Sequence, residues 1–206
     1  MTIPVIPLKI AGGQTFRASH VWFSGDWVYK VITAVTLGWP TQITAASHGI
    51  PAGVKVPVWI ANARGPKINT TAEVPFLAER VDANTLVLLG LNTGGQSTYV
   101  ASSATLSYVP PKSLVGWSAR GQFRVDPESD VLVDGVSTGG HPEFVITGAT
   151  GKIEVVLTEA QSRALLDGGQ DIVNGICHVE MIDTDGEVHR PFDYGWTTTP
   201  EGTREA

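Results

Sequence analysis

Between Gly13 and Phe23 the apolar positions Phe16, Ala18, Val21 and Phe23 fall among polar neighbours with near-alternation. The same texture returns from Leu114 to Arg124, where Trp117, Ala119 and Phe123 recur. Spacing of this kind predicts strands with one buried face. The stretch between them carries a β pattern of its own, so one domain is expected to be split by a second folded into one of its loops. Domains with close termini permit this at exposed turns. The expected division assigns residues 1–30 and 113–206 to a discontinuous outer domain and 31–112 to the insert.

Within the outer segments, residues 144–147 turn through Gly148-Ala-Thr-Gly151 into Lys152–Leu157, where Ile153, Val155 and Leu157 share a face, which predicts a hairpin. Thr158-Glu-Ala-Gln161 is a capping box, so a short helix is expected from there toward Gly168. Ile176 to Ile182 and Glu187 to Trp196 read as two strands joined by Asp183-Thr-Asp-Gly186, whose Asp-Gly pair suits a tight turn. Residues 197–206 read as a fraying end. In the insert, a strand from Ile43, a Gly/Pro turn at Pro51–Gly53 and a strand over Val54–Ile60 are expected. Turns at Asn62–Gly65 and Lys67–Asn69 follow, then strands at Val74–Arg80, Thr85–Leu89 and Ala104–Tyr108, with a break at Asn92–Gly95.

Composition supports an all-β reading, because charged residues make up 17% of the chain while 23 Gly and 13 Pro punctuate short Val- and Thr-bearing runs. A net charge of −6 without a basic stripe argues against nucleic acid as a partner. Cys177 is the single cysteine, so no disulfide forms within the chain, and its apolar setting predicts a buried thiol. The first residues lack the basic, apolar and small-residue regions of a signal peptide, and no run approaches ~18 apolar residues. The expectation is a soluble protein made in the cytoplasm, with no membrane insertion.

The insert's run Ile43-Thr-Ala-Ala-Ser-His-Gly-Ile-Pro-Ala-Gly-Val-Lys-Val-Pro-Val-Trp-Ile60, followed by Asn69, Pro75-Phe-Leu77 and Asn84-Thr-Leu-Val-Leu88, resembles a small β-barrel module. That module is related to the first catalytic-cysteine half-domain of ubiquitin-activating enzymes and recurs in tailed-phage virion proteins. Ile50 stands where the pattern has Leu, and the insert has no cysteine, so no ubiquitin-activating chemistry follows. The outer residues Gly13-Gln-Thr-Phe16 to Trp22, Leu114-Val-Gly-Trp-Ser-Ala-Arg120 to Arg124, Gly151-Lys-Ile-Glu-Val155, Thr158-Glu-Ala-Gln161, Asp185-Gly-Glu-Val-His-Arg190 and Pro200-Glu-Gly-Thr-Arg204 resemble a phage immunoglobulin-like module. It is similar to the N-terminal domain of upper-baseplate proteins, with Val115 in place of Thr. Together the resemblances imply an immunoglobulin-like β-sandwich with one short helix, interrupted by an inserted small β-barrel.

The function they imply is that of a non-enzymatic structural protein of a tailed-phage virion, placed at the tail tip or baseplate. It would dock on a symmetric or homo-oligomeric ring and present the barrel to other virion proteins, fibres or the host surface. A capsid decoration or head-fibre-anchoring protein and a host-glycan-binding module, using residues 91–99, are the alternatives. His20, His48, His141, His178 and His189 lack zinc-ligand spacing, and Asp183 and Asp185 lack the remaining ligands of a calcium loop. No catalytic residue, metal or cofactor is therefore assigned. His178 and His189, beside Glu180 and Glu187, read as cross-strand polar pairs on a solvated face, and His48 as shaping its turn. Gly-Gly-Gln at residues 12, 94 and 168 reads as chain punctuation and loop. Of six tryptophans, Trp22, Trp117 and Trp196 suit the sandwich core and Trp59 the barrel. Trp27 and Trp39, near the junction, are core residues by default or else anchors of an interface.

Overall fold

The computed structural model describes residues 4–100, 104–137, 143–166 and 173–199. Described residues within 1–22, 114–148 and 152–206 form one compact unit, and those within 23–113 and 149–151 a second. The first crossing falls between Trp22 and Phe23 rather than after residue 30, because Val28–Val31 pairs with Thr105–Tyr108 inside the second unit. In chain order the outer unit contributes β1 (Val5–Ala11) and β2 (Phe16–Val21). The inner unit follows with β3 (Val28–Val31), β4 (Ala34–Thr36), β5 (Thr41–Thr44), β6 (Lys55–Ala61), β7 (Phe76–Arg80), β8 (Thr85–Leu88) and β9 (Thr105–Tyr108). The chain then returns through β10 (Ser118–Arg124), β11 (Val133–Val136), β12 (Phe144–Thr147), β13 (Lys152–Leu157), helix α1 (Glu159–Ala164), β14 (Val173–Ile182), β15 (Val188–His189) and β16 (Asp193–Thr199). The chain is all-β apart from α1 and one 3-10 turn at Gly148–Thr150.

In the outer unit one sheet runs β1-β16-β14-β10-β11, with β15 beside β14, and the other runs β12-β13-β2. The two strands that first suggested a split domain, β2 and β10, therefore lie in opposite sheets around one core. Ile10, Phe123, Phe144, Ile153, Val155, Leu157, Val179, Met181, Tyr194 and Trp196 fill that core. Alternation dictates which residues these are: on β10 Ala119, Gly121 and Phe123 point inward, and on β13 Ile153, Val155 and Leu157 do. β1 pairs with β16 in parallel, placing Leu8 beside Trp196 and Ile10 beside Thr198. Thr197–Thr199 thus continue a strand instead of fraying, while residues 200–206, with the Pro200–Arg204 motif, lie outside the described residues.

The hairpin and capping box expected between 144 and 164 are present. Thr147 faces Lys152 across the turn, and Gly151 adopts φ 63°. At α1 the Gln161 amide donates to Thr158 Oγ1 (3.3 Å) and the Thr158 amide donates to Gln161 Oε1 (2.9 Å), satisfying two helix-start donors at once. Gln161 Nε2 donates in turn to the buried Glu143 (2.7 Å), whose other oxygen accepts from the Val136 amide (3.0 Å). The extent toward Gly168 lies outside the described residues. The strand expected over 187–196 breaks: Arg190, Pro191 and Phe192 oppose only Val179 and Glu180, a bulge at the residue that has no amide to donate. The bulge sends Phe192 into the core and Arg190 to the other face.

The inner unit is a single sheet in the order β3-β9-β6-β7-β8-β5-β4. Its two end strands, β3 and β4, are separated in the chain only by Ile32 and Thr33. Ile32 donates to Ala104 O (2.9 Å) and Thr33 to Thr44 O (2.9 Å), so consecutive residues bond opposite ends of the sheet. A sheet tied this way has to curl into a barrel. Ile32, Ile43, Val56, Val58, Ile60, Leu86, Leu88 and Leu106 fill it. His48 shapes its Gly/Pro turn and does more: Nδ1 accepts from the Ile50 amide (3.0 Å) and Nε2 donates to Asp82 O (2.8 Å), while Tyr108 donates to the His48 carbonyl.

Gly175 faces Trp196 across β14 and β16, and a Cβ there would lie 2.2 Å from the Trp196 ring and 2.3 Å from Arg124 O. Neither a buried indole nor a paired backbone can retreat without disturbing the core. Gly175→Ala is expected to destabilise the protein by roughly 1–3 kcal/mol, as overpacking does. Urea denaturation checks this; an unchanged midpoint would contradict it.

Candidate functional site

The side of the six-stranded sheet facing away from the core carries most of the outer unit's clustered polar chemistry. Alternation along β10 puts Arg120, Gln122 and Arg124 on this side, and along β14 it puts His178 and Glu180 there. Register then fixes the neighbours: Arg120 lies opposite Glu180, Gln122 opposite both His178 and Asp134, and His178 opposite Asp193. Arg120 Nε donates to Glu180 Oε2 (2.6 Å), and Arg124 Nη2 to Gln122 Oε1 (2.8 Å). Arg190, delivered by the bulge, reaches His178 Nδ1 (2.7 Å) and Asp193 Oδ1 (3.4 Å). Arg120, Gln122, Arg124, His178, Glu180 and Arg190 line an open groove of about 600 Å3.

His178 Nδ1 also lies 3.1 Å from Asp193 Oδ1. A single ring nitrogen cannot accept from Arg190 and donate to Asp193 together, so Nδ1 without a proton takes the guanidinium and Nδ1 with one takes the carboxylate. Each guanidinium in the groove already meets an acceptor, and among the described lining residues no hydroxyl or thiol nucleophile is present.

His178 and His189 do lie on neighbouring strands, but not as partners, since His189 faces Met181. His189 Nε2 instead donates to Asp183 Oδ2 (2.9 Å) and its ring lies tilted against Trp117 at 5.0 Å, and Trp117 meets Trp22 edge-on at 5.6 Å. Asp183, Glu187 and His189 place their ligand atoms within 4.8 Å of one another. Asp183 Oδ1, however, accepts from the Asp185 and Glu187 amides (3.0 and 2.9 Å), so this carboxylate holds the turn together. The His189 bond and those amides keep its carboxyl below the usual range. Cys177 is buried, and burial, reinforced by Asp193, pushes its thiol far above the ordinary value, which removes it as a nucleophile. His141 lies outside the described residues.

The tryptophans divide differently from the core-packing default. Trp196 is buried in the sandwich and Trp22 and Trp117 pack partly against it. Trp59 sits on the outer face of β6, since Val58 and Ile60 point inward, and Trp27 leans on it edge-on at 5.0 Å. Trp27 is 46% exposed and Trp39 67%, so neither is a core residue. Trp39 rides on a loop held to residues 91–96, where Thr41 and Thr93 hydroxyls meet at 2.9 Å and the Thr93 amide donates to Gly38 O (3.1 Å). No family model matches this chain, and no curated protein matches it. Among the described residues no helix is long and apolar enough to cross a membrane.

One half-buried group is set to respond to acid. His20, on β2, presses edge-on against Phe192 (4.2 Å) and Tyr194 (5.4 Å), accepts at Nδ1 from the Tyr194 hydroxyl (2.7 Å), and leaves Nε2 buried without a partner. Burial lowers its pKa from 6.5 to about 4. The unfolded chain therefore binds the proton first, and stability present above pH 6.5 is lost as pH falls toward 4, by about 3 kcal/mol at most. Urea unfolding at pH 7.5 and 4.5 is expected to show this loss in the wild type and a smaller one in His20→Phe. Equal losses would contradict the assignment.

Proposed function

We propose that the protein is a non-enzymatic structural component of a tailed-phage virion, a tail-tip or baseplate protein. Its sandwich docks on a symmetric ring, and its barrel is presented to neighbouring subunits, fibres or the host. The observation that carries this reading is the insertion of one separately cored β unit into another, the organisation that both motif resemblances imply. A module whose two ends pair with each other, through the Phe23–Pro111 bridge and the Ser24 amide on Pro110 O (3.1 Å), can be carried on a loop without disturbing its host. The internally paired charges of the outer groove fit surface docking, and many copies on a ring would multiply weak contacts.

A host-glycan reading draws on Trp39, an exposed ring on a loop fixed by hydrogen bonds beside residues 91–96. It would add a receptor to the same particle role. Reconstruction of the intact particle, with tail and head fractions separated and analysed by mass spectrometry, tests the main proposal. Ordered copies at the tail tip in a symmetric number are expected; the chain's absence from purified particles, or its presence on the head alone, would refute it.

A further inference from the structure

Arg124 stands apart from the other arginines of the outer groove. Arg120 meets Glu180 and Arg190 meets Asp193, so each of those guanidiniums has a carboxylate beside it. Arg124 has none within ion-pair distance among the described residues. Its Nη2 donates to Gln122 Oε1 (2.8 Å) and its Nη1 to the Ser129 carbonyl, both neutral acceptors. These two bonds hold the half-buried guanidinium in place and leave three of its five N–H groups for a ligand. We propose that Arg124 receives a side-chain carboxylate from an extended segment of a partner protein lying in this groove.

The guanidinium selects the carboxylate. A planar fork held by neutral oxygens keeps its full charge and matches a carboxylate in two parallel bonds, with little ordering left to complete on binding. The lining selects what carries it. Asp134, opposite Gln122, and a net chain charge of −6 oppose the run of phosphates of a nucleic acid, whereas one carboxylate needs only Arg124. The groove is open and its lining mainly charged and polar, unlike the apolar enclosure that holds a small molecule, so the carboxylate arrives on a chain that crosses the sheet. A segment of this kind supplies the partner chemistry for the docking proposed for the sandwich, and its biological setting rests on that reading.

The side-chain Nε–Hε NMR signal of Arg124 in the purified full-length chain reads the contact directly, whatever the location of the chain in a particle; its absence from Arg124→Lys assigns it. The probes are a short Gly-Ser peptide with blocked ends and one central Glu, and the same peptide with Gln. The Glu peptide is expected to shift the signal saturably with a dissociation constant below about 5 mM, and the Gln peptide to leave it in place. Gln122→Glu, at an exposed position, sets an isosteric carboxylate against Arg124 and is expected to weaken Glu-peptide binding at least about tenfold with an unchanged melting temperature. Asp134→Asn, also exposed, is expected to tighten it. A Glu peptide that shifts the signal no more than the Gln peptide, or a Gln122→Glu chain that binds as the wild type does, would overturn the proposal. Acetate, inorganic phosphate or a thymidine oligonucleotide binding as tightly as the Glu peptide would overturn the assignment to a protein segment.

Discussion

The chain has to leave a half-built sandwich after β2 and come back to it at β10, and the pairing of its outgoing and returning segments makes this possible. Phe23 bridges Pro111, the Ser24 amide donates to Pro110 O, and β3 runs antiparallel to β9 immediately beyond. Paired antiparallel backbones hold Cα atoms about 5 Å apart. The host sandwich therefore experiences the insert as a short loop, because the cost of closing the intervening residues is met by the barrel's own cooperative folding. On the host side Leu114 is anchored at once by its amide on Gly148 O (2.7 Å). Core packing in each unit can then proceed from its own side chains.

The two units use polarity in opposite ways. The outer unit places arginines, carboxylates and His178 on the open side of its larger sheet and pairs them across strands. Exposed pairs of this kind add little stability. The barrel leaves its wall almost uncharged and makes polar bonds at loops and strand ends, as at His48 and at Thr41 with Thr93.

Sequence alone showed the strands with clean alternation, such as β10 and β13, and the capping box of α1, because these depend on neighbours in the chain. It passed over β1, whose residues drew attention only as a non-signal, and β11, whose Asp134 and Gly135 obscure the alternation. Both owe their existence to partners far along the chain. The boundary at residue 23 was missed for the same reason, since β3 is defined by β9. The polar groove was half visible: Arg120, Gln122, Arg124, His178 and Glu180 alternate on their strands, but Arg190 and Asp193 join them only through the bulge at Pro191. Trp59 looked like core because an indole is apolar; strand parity put it outside.

Removal of residues 23–113, with a short Gly-Ser linker joining Trp22 to Leu114, tests most directly whether the sandwich is complete without its insert. The shortened chain is expected to keep a β-type circular dichroism spectrum and a single cooperative urea transition. A chain that aggregates or unfolds without a transition would mean that the two units form one core.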